Sequence, residues 1–236
     1  DPAAFAAAVD AARPKAAPTV ASPELLASTT FDGEVRRLVE LRAGELVRYQ
    51  NAKVARRYVE TVQAIWQSER TITDDTAFSE AVARGLHKFT AYKDEYEVAR
   101  LLVDPAFLTE VQAQVPGGEN LTYRLHPPAL RAMGRTKKVG FGPKSHVALK
   151  LLAKAKVLRG TKLDPFGYAH VRKVERQLLS HYTDMVLRLA AELTVDNYNM
   201  AVAAAGLPDI VRGYEDVKLG NVELYRARLR DLGITA

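Results

Sequence analysis

The sequence predicts a mostly α fold, a helical bundle-like body with one short β-hairpin at about residues 120–142. Three observations carry this. Apolar residues recur at spacings of three and four through residues 31–104 and 144–232, the period of helices with one buried face. Leu121, Tyr123 and Leu125 alternate with Thr122, Arg124 and His126, the period of a strand. An apolar content of 47% over 236 residues is enough to bury a core without covalent staples.

The elements follow in order. Residues 1–30 read as an alanine-rich helix and a linker around Pro14, Pro18 and Pro23, left over from a preceding domain, with the helical C-terminal domain over 31–236. The chain starts without Met, so it is expected to be a piece of a longer polypeptide. Residues 31–69 read as one long helix, or two joined near Gly44, with Asp32 as cap and Val54, Tyr58, Val62, Ile65 and Trp66 as its buried stripe. Residues 71–105 read as another, capped by Asp74 or Asp75, with Phe78, Val82, Leu86, Phe89, Tyr96 and Leu101 inside. Pro105 starts a short helix that ends at Pro116-Gly117-Gly118. The hairpin then pairs the strand around Tyr123 with a run before Gly142, and must lie on helices because two strands alone are marginal. Helices over 144–157, 169–193, 196–205 and 217–232 complete the chain.

Composition excludes several chemistries. There is no cysteine, hence no disulfide, thiolate nucleophile or Cys-held zinc or iron–sulfur centre within this chain. No apolar run of about 18 residues exists and the first residues lack the order of a signal peptide, so a cytoplasmic protein is expected. The net charge of +6 is unevenly spread: residues 131–176 hold 13 Lys/Arg against Asp164 and Glu175, a net +11. The remainder, with 21 basic and 26 acidic residues, carries −5. That asymmetry suits an acidic partner or a phosphate-bearing ligand.

Within the basic stretch, GFGPKS (140–145) has the composition of a phosphate loop but not its spacing. Only one residue separates Gly140 from Gly142, too few for consecutive amides to wrap a phosphate, and Pro143 removes one of those amides. The reading that fits is a turn made by two glycines, with Pro143 opening the next helix. A weak anion site at that helix start, with Lys144 and Ser145, belongs to a wider candidate surface for a partner or anion: His126, Lys137, Lys138, Lys144, Ser145, Lys150 and Lys154. His87, His126, His146, His170 and His181 form no paired ligand set, so a metal centre is not expected. Lys93, Asp94, Glu95, Glu97 and Arg100 read as an ion-pair seam rather than an acid/base pair, because nearby cations lower carboxylate pKa values. In LRGTKLDPFGY (158–168), Gly160 supplies a left-handed turn, Asp164-Pro165 restarts the chain and Phe166 offers an aromatic plug.

Four stretches are more specific than helical periodicity requires: YQNAKVARRYVETV (49–62), AFSEAVARGLHKFTAYKDEYEVARLLVDPAF (77–107), LRGTKLDPFGYAHVRKVERQLL (158–179) and IVRGYEDVKLGNVE (210–223). Together they resemble the C-terminal helical domain of fused indolepyruvate ferredoxin oxidoreductases, over about residues 45–232. The resemblance implies a 2-oxoacid:ferredoxin oxidoreductase in which thiamine diphosphate, Mg and an iron–sulfur cluster serve the whole enzyme. Such an enzyme decarboxylates a 2-oxoacid oxidatively to an acyl-CoA and reduces ferredoxin. The family's GDG motif with its paired asparagines is absent here, as are cluster cysteines, so the resemblance assigns this chain no cofactor and no catalytic residue. It departs from the family in the hairpin, where Arg124 stands in place of a strand histidine and His126 comes two residues later. The implied partners are the remainder of the polypeptide or its subunits, and ferredoxin or CoA for the cationic surface. The alternative is a basic nucleic-acid-binding module, with Lys137 to Arg176 on the phosphates and Tyr123, Phe141, Phe166 or Tyr168 stacking bases.

Overall fold

The computed structural model describes residues 21–114, 122–125, 139–142, 145–213 and 215–234. Nine α-helices are described: α1 (Gly33–Tyr49), α2 (Ala52–Arg70), α3 (Ala77–Thr90), α4 (Glu95–Leu102), α5 (Pro105–Gln114), α6 (His146–Lys154), α7 (His170–Ala191), α8 (Tyr198–Gly206) and α9 (Glu215–Asp231). Strands β1 (Tyr123–Leu125) and β2 (Val139–Phe141) pair antiparallel, with Arg124 opposite Gly140. The mostly α class with one short hairpin is therefore the observed fold. No helix among the described residues is long and apolar enough to cross a membrane.

The chain forms two compact units: Pro18–Tyr92 with Gly160–Ala236, and a smaller one over Lys93–Arg159. The larger unit is a bundle of α1, α2, α3, α7, α8 and α9. Its core is built from Val35, Val39 and Leu46 of α1, Val62 and Ile65 of α2, Phe78 and Val82 of α3, and Val186 of α7, all essentially inaccessible. Each such side chain stabilises by roughly 1.5–3 kcal/mol on full burial. Aromatic rings tie the layers: Phe89 stands edge-on to Tyr182 at 5.4 Å and to Tyr225 at 5.6 Å. The Tyr182 hydroxyl donates to the Ala205 carbonyl at 2.8 Å and the Tyr58 hydroxyl to the Ala83 carbonyl at 3.0 Å. Two buried phenols thus satisfy their polar ends on the backbone of neighbouring helices.

Glu69 fixes the corner between α2 and α3. Its side chain is inaccessible, yet both oxygens are occupied. Oε1 accepts from the Phe78 amide at 2.8 Å and the Tyr198 hydroxyl at 2.7 Å, and Oε2 from the Ser79 amide at 2.9 Å. The carboxylate replaces the missing intrahelical partners of the first turn of α3 and meets the positive end of its dipole. Asp75 assists by accepting from the Thr76 and Ala77 amides.

The smaller unit gathers Ala99 of α4, Tyr123 of β1 and Leu149 of α6 around Leu102, Phe107, Leu108 and Leu152. The Tyr123 hydroxyl donates to the Leu102 carbonyl at 2.9 Å, anchoring the hairpin on α4.

Several boundaries differ from the sequence expectation. The break in residues 31–70 falls at Asn51, whose side chain accepts from the Val54 amide at 3.0 Å, while Gly44 is buried inside α1. Asp32 occupies the position before α1, but its side chain accepts no capping bond. The helix expected over 71–105 is two, since Asp94 caps α4 through the Glu97 amide, and Leu101 is exposed. Gly140 lies within β2 rather than in the turn expected of Gly140 and Gly142; among the described glycines positive φ is found at Gly33, Gly160, Gly213 and Gly233. Phe166 is only half-buried. Residues 1–20 of the expected N-terminal helix and linker, Pro116-Gly117-Gly118 and Pro143 lie outside the described residues, whereas Pro23–Leu26 of the expected linker forms a short 3-10 helix whose Leu26 is buried in the core of the larger unit.

Two substitutions test this frame by urea unfolding. Glu69→Ala removes three charge-assisted acceptor contacts and should cost about 3 kcal/mol or more, whereas Tyr198→Phe, which leaves both amides capped, should cost about 1 kcal/mol. A Cβ on Gly85 would lie 2.4 Å from the Tyr182 hydroxyl oxygen and 2.9 Å from Pro208 Cγ. Gly85→Ala should therefore destabilise, because overpacking of about 1–3 kcal/mol exceeds the helix-propensity gain of about 1 kcal/mol; a stabilised variant would show that the contact yields.

Candidate functional site

The carboxylates singled out by the sequence are used by the fold. Asp94 is buried and grips the equally buried Arg159, with Nε–Oδ2 at 2.5 Å and Nη2–Oδ1 at 2.8 Å. The guanidinium also lies over the Tyr96 ring, 5.6 Å from its centroid. Glu97 accepts two bonds from Arg100, which also reaches Asp104 at 3.6 Å. In the larger unit, buried Glu175 accepts from Arg172 at 2.6 Å and pairs with Lys218. Buried Asp164 accepts from the amides of Gly160 at 2.9 Å and Phe166 at 3.1 Å, so it shapes the loop whose left-handed Gly160 was expected. These are structural knots: each carboxylate is taken up by a guanidinium, an ammonium or backbone amides of the fold.

The expected cationic surface is described only in part. His126, Lys137, Lys138 and Lys144 lie outside the described residues. Ser145 precedes α6, and its hydroxyl and amide both donate to the Gly142 carbonyl, at 2.6 and 2.9 Å. Its hydrogen is spent on the turn, which removes the donor an anion would need. Lys150 and Lys154 are exposed one turn apart on α6.

A different basic site is assembled in the larger unit. Arg42 of α1, Arg84, His87 and Lys88 of α3, and Asp209 and Arg212 beyond α8 line a groove of about 580 Å³. The spacing of 84, 87 and 88 puts three of these side chains on one edge of α3, and Gly85 between them lets α3 approach Tyr182 and Pro208. Glu45 binds Arg42 Nη1 at 2.8 Å and lies 3.1 Å from His87 Nε2. The imidazole contact has the distance of an ion pair without the alignment of a hydrogen bond, and Arg42 Nε is buried with no acceptor among the described residues. Burial alone would raise the Glu45 pKa, but His87 and Arg42 outweigh it and hold the carboxyl at about 2. Lys88 donates to the Asp209 carbonyl at 2.9 Å and meets its carboxylate at 3.3 Å. Burial nevertheless keeps the ammonium below its usual range, Asp209 offsetting only part of that. Arg212 grips the same residue through the Asp209 carbonyl at 2.9 Å and carboxylate. A smaller cleft of about 270 Å³ lies between α7 and α9, lined by His181, Asp184 and Arg188 with Tyr225 and Arg226. The larger groove is lined by the cations Arg42, Arg84, Lys88 and Arg212 with the carboxylate Asp209, and no nucleophile stands beside a base among its lining residues. Among the described residues no group of three His, Asp or Glu is placed to hold a metal ion.

Sequence reasoning missed this groove because its cations come from positions far apart in the chain. The available signal was Arg42 three residues before Glu45 on α1, and Arg84, His87 and Lys88 sharing an edge opposite the apolar stripe of α3.

Residues 35–231 match the model of a family described as a family of unknown function, DUF6537. The chain belongs to that family. The DUF6537 match contains every residue lining the groove and both ends of the Asp94–Arg159 and Glu175–Lys218 pairs. Neither a curated protein nor a solved structure matches the chain.

The Glu45 carboxyl gives a pH prediction. A folded-state pKa of about 2 against an ordinary 4.5 means that the unfolded chain takes up this proton first as pH falls. The Glu45 contribution to stability is therefore complete above about pH 4.5 and lost between there and about pH 2. Unfolding midpoints measured across this window should fall less steeply in Glu45→Gln than in the unsubstituted chain; parallel slopes would show that Glu45 is not depressed.

Proposed function

We propose that this chain is a non-catalytic helical module of a thiamine diphosphate-dependent, indolepyruvate-type 2-oxoacid:ferredoxin oxidoreductase of the cytoplasm, serving architecture and subunit contact. One observation carries the reading: the separate stretches that resemble that family are fastened to each other by buried ion pairs. Asp94 in the stretch 77–107 is held by Arg159 in 158–179, and Glu175 in 158–179 by Lys218 in 210–223. The most distinctive charged residues are thus consumed in holding the fold, as expected of a scaffold whose reactive groups are supplied elsewhere in the polypeptide. The chain does not fit a cysteine-held cluster, having no cysteine, so in this reading thiamine diphosphate, Mg and the iron–sulfur cluster belong to other segments. Exposed lysines such as Lys150 and Lys154 would steer an acidic ferredoxin, or meet the phosphates of CoA, through salt-sensitive attraction.

The test is anaerobic 2-oxoacid- and CoA-dependent reduction of ferredoxin by the natural polypeptide that carries this chain, beside the 236-residue chain alone. Activity that requires thiamine diphosphate in the first and none in the second is the expected result. Turnover of a 2-oxoacid by the isolated chain, or a natural polypeptide indifferent to thiamine diphosphate, would overturn the proposal.

A further inference from the structure

Among its lining residues, the groove between α1, α3 and the turn after α8 carries more cations than carboxylates. Arg42, Arg84, Lys88 and Arg212 contribute four cations, and the acidic side chain among the lining residues is Asp209. Arg42 answers to Glu45, and Arg84 to Glu80 at 2.9 Å and Glu34 at 3.5 Å, each engaging one of several N–H donors of a guanidinium. The buried Arg42 Nε has no acceptor among the described residues, so Glu45 leaves the donors of this guanidinium incompletely answered.

Asp209 behaves as a resident substitute for a ligand. Its side chain is 72% exposed, yet its carboxylate sits where Lys88 and Arg212 converge. The Asp209 backbone carbonyl also accepts from both cations, at 2.9 Å each. The carboxylate can therefore swing into solvent while the cations stay in place on the carbonyl, leaving room for an anion with stronger acceptors. The volume of about 580 Å³ lies in the range of small-molecule sites, roughly 300–1,000 Å³, rather than that of a flat protein contact.

We infer that this groove binds a phosphorylated small molecule carrying at least two negative charges. A phosphoryl group takes the paired N–H donors of Arg84 or Arg212 while Lys88 supplies a point charge, and a second anionic group reaches Arg42 across the groove. A monocarboxylate would leave most of these donors unanswered. The inference is independent of the proposed enzyme context, since it concerns the isolated chain.

The test is calorimetric titration of the full chain with inorganic pyrophosphate at low salt. Pyrophosphate should bind, and the double variant Arg84→Gln/Arg212→Gln should weaken it by about tenfold or more, as loss of charge-assisted contacts does. Both side chains are largely exposed, at 51% and 69%, so the fold should survive, with circular dichroism as the check. Asp209→Asn, which removes the competing carboxylate, should tighten binding. Lys53→Gln/Arg56→Gln, exposed on α2 and outside the groove, should leave it unchanged. The inference fails if pyrophosphate does not bind, if the Lys53/Arg56 variant loses as much affinity as the Arg84/Arg212 variant, if Asp209→Asn weakens binding, or if citrate binds as tightly as pyrophosphate.

Discussion

The larger unit depends on a single buried carboxylate more than on any other polar group. Glu69 stands at the end of α2 and closes the first turn of α3, while the Tyr198 hydroxyl brings the start of α8 to the same oxygen. A helix N-terminus buried without acceptors would be strongly unfavourable. Once Glu69 satisfies it, α3 can run through the centre of the bundle and present Phe78, Val82 and Phe89 to its neighbours. The opposite edge of α3 is then free to carry Arg84, His87 and Lys88. The interior cap and the basic groove are thus consequences of one placement of one helix.

The same economy governs the remaining buried charges. Asp94 and Glu175 are each neutralised by cations distant in sequence, and Asp164 by amides of its own loop. Removing one partner of such a pair costs far more than the pair contributes over an apolar replacement. Their effect is therefore chiefly to forbid other arrangements. The groove differs: its cations are partly exposed and so is their partner Asp209, which suits the exchange with a ligand inferred above.

Local physics was legible in the sequence. The three-and-four spacing gave the stripe Val54, Tyr58, Val62, Ile65 and Trp66, all buried except Val54, which is half-buried, and period-two alternation located β1. Gly160 adopts the left-handed turn expected of it, and the Glu97–Arg100 pair lies at its helical spacing. What escaped was tertiary. Glu69 looks like any acidic residue near a helix end, since its partners lie nine, ten and 129 positions away. Asn51 was a weaker break signal than Gly44, whose lack of a side chain proved compatible with a buried helix interior. Charge density along the chain pointed to residues 131–176, but the groove draws its cations from positions 42, 84, 88 and 212. A local window does not register charges that only folding brings together.

The division of the chain has a bearing on its biogenesis. The bundle is discontinuous: α1 to α3 precede Lys93–Arg159, and α7 to α9 follow it. During synthesis the first three helices leave the ribosome with their oily faces uncovered, and α7 arrives only after the intervening segment has been made. At roughly 5–20 residues per second that wait lasts several seconds, long compared with helix formation and collapse. For that interval the faces of α2 and α3 that pack on α7 stay uncovered, and the length of Lys93–Arg159 sets how long.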